Sequence, residues 1–216
     1  MHNYFDKVTD WLLVGGDLDL ARDLTGQDYA TTIAKYREMG VTHVLDVRSE
    51  WENRSEWVAC GLADENYCHV PIIDRWGHVP HEEWFAAVEG FVQRFWMESA
   101  EGDIMVISCH MGINRAPSTA MLALLTVDPL MHPLDAFLQI REARPAAGLV
   151  YAEAVGIRHL LNVESAELTS DSVLPESVVM FSASMDNYWT PELRVAVNRG
   201  IAFYRDAEGG TKVVTA

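Results

Sequence analysis

Between residues 81 and 127 the spacing of the apolar residues changes twice, and this limits the fold more than any other feature. In HEEWFAAVEGFVQRFWME (81–98), Trp84, Phe85, Val88, Phe91, Val92 and Phe95 recur at helical spacing. DIMVIS (103–108) is a short continuous apolar run that suits a strand buried on both faces. APSTAMLALLTV (116–127) is helical again. A helix, a buried strand and a second helix in succession belong to an α/β sheet covered on both sides.

The rest of the first 163 residues extends this alternation. WLLVGG (11–16) reads as a strand closing on a glycine turn, and a helix follows around 27–39, stopping at Gly40. VTHVLDVR (41–48) and YCHVPII (67–73) read as strands. PLDAFLQIREA (133–143) and VYAEAVGIRHLLNV (150–163) read as helices set off by Pro129, Pro133 and Pro145. The expected fold is a central, mostly parallel sheet flanked by helices on both faces, in a domain over 1–163. Residues 164–216 form a C-terminal extension of unassigned role. It opens with a polar linker, ESAELTSDSVLPES, and VVMFSAS (178–184) and KVVT (212–215) read as strands flanking a helix at 191–207.

Composition narrows the setting. The chain has 216 residues, is 49% apolar, and shows no apolar stretch of signal-peptide length at its start. TAMLALLTV (119–127) is far too short to span a bilayer. Three cysteines, an odd number, fit a reducing compartment, so a cytoplasmic location is expected. A net charge of −16 makes nucleic acid and acidic membranes poor partners. The basic residues are 13 Arg and three Lys, which suits local anion binding better than a broad basic patch.

SCHMGINRAPS (108–118) joins the buried strand to the next helix. A Cys with Gly at +3 and Arg at +6 would arise by accident in roughly 1% of such chains. Only Cys109 has this arrangement, since Cys60 and Cys68 have Asn66 and Asp74 at +6. A loop that leaves a strand and opens a helix is where backbone amides converge on an anion. Arg115 would begin that helix with a planar, permanently charged fork for two phosphate oxygens. Gly112 allows a turn that a side chain would block. The amides and helix dipole would make Cys109 a thiolate near neutrality.

This segment resembles the Cys-x5-Arg signature of cysteine-based protein phosphatases, the dual-specificity type in particular. WLLVGGDLDLA, GVTHVLDVRSE, VPIIDRWGHVP and FLQIREARP are similar to further parts of that family, so the resemblance spans roughly residues 8–162. It implies metal-independent hydrolysis of a phosphate monoester, on a protein or a small molecule, with no cofactor. Cys109 would be the nucleophile and Asp74, 35 residues earlier, the general acid. Arg115 and the backbone of His110, Met111, Gly112, Ile113 and Asn114 would bind the phosphate. Asp64 and Asp46 are alternatives for the acid, Asp46 reading as structural within its strand. His69 and His110 read as solvated or hydrogen-bonded residues, and Cys60 and Cys68 as free thiols.

Two positions depart from the family pattern. Ser108 replaces the histidine that usually precedes the nucleophile, and Ala116 replaces the hydroxyl residue that usually follows the arginine. A catalytically weak phosphate-binding module is therefore one alternative. An RNA 5′-triphosphatase is another, because that branch shares Gly-x-Asn-Arg. Phosphoinositide-directed relatives place Lys or Arg inside the loop, and residues 110–114 hold neither. Phosphotyrosine and phosphoserine/threonine remain equally open, as does the oligomeric state.

Overall fold

The computed structural model of the protein describes residues 4–74, 79–163 and 176–188. The strands are β1 (Phe5–Lys7), β2 (Leu12–Gly15), β3 (Val41–Asp46), β4 (Tyr67–His69) and β5 (Ile104–Ser108). They form one sheet in the order β1-β2-β5-β3-β4, with β1 antiparallel to β2 and every other pair parallel. All five residues of β5 are buried, as a central strand with neighbours on both edges and helices on both faces requires.

Side chains alternate across the sheet. Leu12, Val14, Leu45, Met105 and Ile107 face one core, which is closed by α4 (Glu82–Glu98), α5 (Arg115–Val127), α6 (Pro133–Ala143) and α7 (Ala152–Val163). Leu13, Val44, Ile104 and Val106 face the other. That side is closed by α1 (Leu18–Thr25), α2 (Tyr29–Glu38) and α3 (Arg54–Ala59), through Leu18, Ile33, Tyr36 and Trp57. The six apolar residues of the 81–98 stripe are the buried residues of α4. Among the described residues no helix is long and apolar enough to cross a membrane.

Three differences from the sequence reading have physical causes. The segment after the glycine turn holds two helices, because Asp17 and Asp28 each cap a helix start and Gly26, at φ 70°, ends the first. The strand expected over 67–73 stops at His69. Val70 and Ile72 still donate to the Asp46 and Val47 carbonyls, but Pro71 between them has no N–H. VVMFSAS is not a strand. It lies in α8 (Glu176–Tyr188), where Val178, Phe181 and Met185 are buried at helical spacing. Phe181 packs against Gly156 of α7, where a Cβ would lie 2.2 Å from its ring. The strand and helix expected beyond residue 188 lie outside the described residues.

Register places the functional segments together. Gly15 and Asp46 both pair with Ser108, so β2, β3 and β5 end side by side. The next residues, Gly16–Asp17, Val47–Arg48 and Cys109–His110, leave the same end of the sheet in adjacent loops. This is the carboxyl edge of a parallel sheet, where such folds hold ligands.

Candidate active site

The loop from Cys109 to Asn114 is seated on the Gly15–Gly16 turn. Gly112 has φ 65°, and a Cβ there would lie 2.3 Å from the Gly15 carbonyl carbon, so no other residue fits without moving backbone. Five consecutive carbonyls are tied down around the loop. His110 O accepts from Asp17 N, Met111 O and Gly112 O from the Arg144 guanidinium, and Ile113 O from Gly148 N. Asn114 O accepts from Ser118 N and Oγ. Because each peptide unit is planar and trans, fixing these carbonyls outward turns the amides of 111–115 inward. A ring of inward N–H groups at the start of α5 is an anion cradle.

Cys109 lies inside this loop and is 2% exposed. Burial pushes its thiol up, against the pull of the Arg115 charge and of the Ala116 and Gly112 amides, while Asp74 adds to the rise. The sequence reading expected the reverse, a thiolate near neutrality. Burial prevails because the sulfur is almost wholly removed from solvent, and the Asp74 carboxylate acts in the same direction.

Arg115 is also buried. Its Nη1 donates to Glu50 Oε2 at 2.7 Å, and lies 3.4 Å from Ser49 Oγ and 3.5 Å from Ile72 O. Among the described residues its fully buried Nε has no hydrogen-bond acceptor, with Asp74 Oδ2 at 3.7 Å. Burial raises Glu50, yet the hydrogen bond and charge of Arg115 outweigh it and hold the carboxyl below its usual range. Asp74 is partly exposed on the loop after β4, and its Oδ1 accepts from Asn114 Nδ2 at 3.2 Å. The Asn114 Oδ1, also fully buried, has no partner among the described residues. Thus the structure brings Cys109, Arg115, Asp74 and Asn114 into one site, with Glu50 as an added member.

Asp64 is elsewhere, exposed and paired with Arg54 at 3.1 Å. Asp46 is buried and structural. It binds Arg48 through both oxygens and accepts from the Tyr67 hydroxyl at 2.6 Å. His69 Nε2 bonds to the Arg48 carbonyl at 2.7 Å. Cys60, Cys68 and Cys109 are free thiols. Ser118 does not serve the sulfur, since its hydroxyl donates to Asn114 O and accepts from Tyr151 N. Among the described residues no group of three or more His, Cys, Asp or Glu side chains is placed to hold a metal ion.

Sequence reasoning missed Glu50, the Asp17–Arg48 pair and Arg144. A strand ending Asp-x-Arg was the available signal for the second, because two charges entering a buried edge need partners. Nothing local marks Glu50, an exposed residue in a polar loop.

No protein-family model matches the sequence, and no curated protein matches it. Solved structures do. Human DUSP28 aligns at 18% identity and TM-score 0.57, over 76% of this chain and 97% of that one. PTPMT1 in complex with PI(5)P aligns at 18% and 0.55, over 76% and 100%. A mouse putative dual specificity phosphatase complexed with zinc tungstate aligns at 19% and 0.54, over 76% and 92%. The chain has the fold of the dual-specificity and protein-tyrosine phosphatases.

Proposed function

We propose that the protein is a metal-independent phosphatase that hydrolyses phosphate monoesters through a cysteinyl-phosphate at Cys109. Its substrates would be phosphotyrosine, or phosphoserine and phosphothreonine, on proteins, or a small phosphomonoester. One observation carries the reading: the buried Arg115 Nε without an acceptor among the described residues, at the head of a loop whose carbonyls 110–114 are all tied down by other groups. A buried, unsatisfied guanidinium nitrogen beside inward amides fits a phosphate oxygen.

In the first step the Cys109 thiolate attacks phosphorus, the P–O bond to the leaving group breaks, and Asp74 protonates the departing oxygen. Arg115 and the amides hold the three equatorial oxygens as charge spreads over them. In the second step Asp74, now ionised, takes a proton from water. The water oxygen attacks phosphorus, and the S–P bond breaks to release phosphate and the thiolate. Asn114 holds Asp74 over the loop in both steps.

A phosphate-binding module with little turnover is the second reading. Ala116, the committed Ser118 hydroxyl and the raised thiol favour it. Hydrolysis of p-nitrophenyl phosphate separates the two. We expect turnover in the parent and none above background in Cys109→Ser, with vanadate binding retained in both. Activity in Cys109→Ser within tenfold of the parent would reject the nucleophile, and vanadate binding by a parent that never turns over would select the module.

A further inference from the structure

Behind the catalytic loop lies an ion cluster with an unbalanced charge. Arg48 donates from Nε to Asp46, from Nη1 to Asp17 Oδ2 at 2.9 Å, and from Nη2 to Asn53 Oδ1 at 2.8 Å. The side chains of Asp17, Asp46 and Arg48 are each 1% exposed. Among the described residues, two fully buried carboxylates against one guanidinium leave a net charge of −1, with the partly exposed Asp19 a further 3.8 Å from Arg48 Nη1, and a buried, uncompensated charge is costly. The missing cation is at hand. His110, the residue after Cys109, places Nδ1 2.9 Å from Asp17 Oδ2. Because that oxygen already accepts from Arg48 and a carboxylate only accepts, Nδ1 carries a proton and donates.

The imidazole is held from several sides. Trp51 meets its ring edge-to-face at 5.3 Å between centroids, and the Trp51 indole N–H is fixed on Asp19 Oδ2 at 2.9 Å. Asp17 in turn caps α1 by accepting from Leu20 N, and its own amide donates to the His110 carbonyl. So the turn after β2 grips His110 at both backbone and side chain. The charged groups on the elements packed around it are Asp17 and Asp19 at the start of α1, and Arg48 and Glu50 beyond β3. On its own loop they are Cys109 and Arg115, and Asp74 stands across from it.

We propose that His110 is a positioning residue: as an imidazolium paired with Asp17 it neutralises the buried Asp17–Arg48–Asp46 cluster and so keeps a net negative charge from standing behind the Cys109 thiolate. The proposal rests on the reading of Cys109 as the nucleophile. With His110 neutral or absent, the cluster carries −1 next to the loop and disfavours ionisation of the sulfur. With Asp17 also neutral, the balance returns without any histidine. A purely structural role for His110 predicts no such recovery.

The test is the rate of iodoacetamide alkylation against pH, followed on the Cys109-containing peptide by mass spectrometry. Alkylation needs no turnover, so the result stands whether or not the protein hydrolyses a phosphate monoester. His110→Gln should raise the midpoint by about one pH unit, a roughly tenfold slower reaction below it. The double variant His110→Gln with Asp17→Asn should return to within about twofold of the parent, a non-additivity that marks direct coupling. A midpoint unchanged in His110→Gln, or a double variant as impaired as the single, would overturn the proposal. The parent protein offers an independent check by NMR: the His110 imidazole should titrate above the ordinary value of about 6.5. Titration at or below that value would equally overturn it.

Discussion

Two buried arginines stand at the same edge of the sheet, and they are treated in opposite ways. Arg48, after β3, has all three side-chain nitrogens bonded to Asp46, Asp17 and Asn53. Arg115, at the head of α5, has a buried Nε with no acceptor among the described residues and an Nη1 on Glu50, a partly exposed side chain at the rim. A guanidinium saturated by its own fold belongs to the scaffold. One left wanting, with a partly exposed partner at the rim, has the feature the proposed phosphate site requires.

The sharpest way to break this comparison is to cross the two positions. Arg115→Met should lower kcat/KM by roughly a thousandfold or more, since the equatorial oxygens lose their principal cation. It should leave stability nearly unchanged, because Glu50 can return to water. Arg48→Met strands Asp17 and Asp46 and should cost about 3 to 5 kcal/mol of stability. For a chain of this size that is a Tm drop of roughly 6 to 20 °C. Thermal unfolding and aryl phosphate kinetics on both variants decide it, and the reverse pattern would exchange the two roles.

The next effect belongs to Asp74. Asp74→Asn should lower kcat roughly a hundredfold for poor leaving groups and little for good ones, which depart without a proton. The fall in rate at high pH, where the acid has lost its proton, should flatten. The rise at the low end belongs to Cys109 and should stay, displaced upward in pH because burial raises the thiol. An equal loss for all leaving groups would remove Asp74 from the acid role.

Ala116→Ser should have a smaller effect, in the favourable direction. The Ala116 amide favours the ionised sulfur, and the hydroxyl of Ser118 is committed elsewhere. A hydrogen bond to a charged group contributes about 1.5 kcal/mol at the low end, or roughly tenfold in the breakdown of the phosphoenzyme. Rapid mixing should show a burst of product in the parent that shrinks in Ala116→Ser while kcat rises. Glu50→Gln is the mildest change. A partly exposed ion pair contributes about 0.2 to 1 kcal/mol, so phosphate should bind roughly 1.4- to fivefold tighter once Arg115 is released. Weaker binding would make Glu50 part of the anion site rather than its competitor.

The same contrast explains what could be read from the sequence. The strands and helices around the Cys109–Asn114 loop were legible because burial imposes period: β5 is apolar from Ile104 to Ile107 and α4 buries the six residues at helical spacing. That Cys109, Arg115 and Asp74 would lie together was legible through chain spacing and family resemblance. Partners distant in sequence were not. The Arg48 cluster draws on residues 17, 46, 53, 67 and 110, which meet only because β2, β3 and β5 end in register. The thiol expectation failed for a related reason. The loop and helix start speak for a low value, whereas the opposing burial and the nearby Asp74 are tertiary. Likewise VVMFSAS has β-branched residues that suit a strand, but packing against α7 selects the helix.

The central claim is that phosphate passes through the sulfur of Cys109 under the charge of Arg115. Acid quench during turnover of an aryl phosphate, followed by mass analysis of the proteolysed protein, tests it most directly. One phosphoryl group should appear on the Cys109-containing peptide of the parent, and on no peptide of Cys109→Ser. A parent that turns over substrate while that peptide stays unmodified, or a phosphoryl group on a different residue, would contradict it.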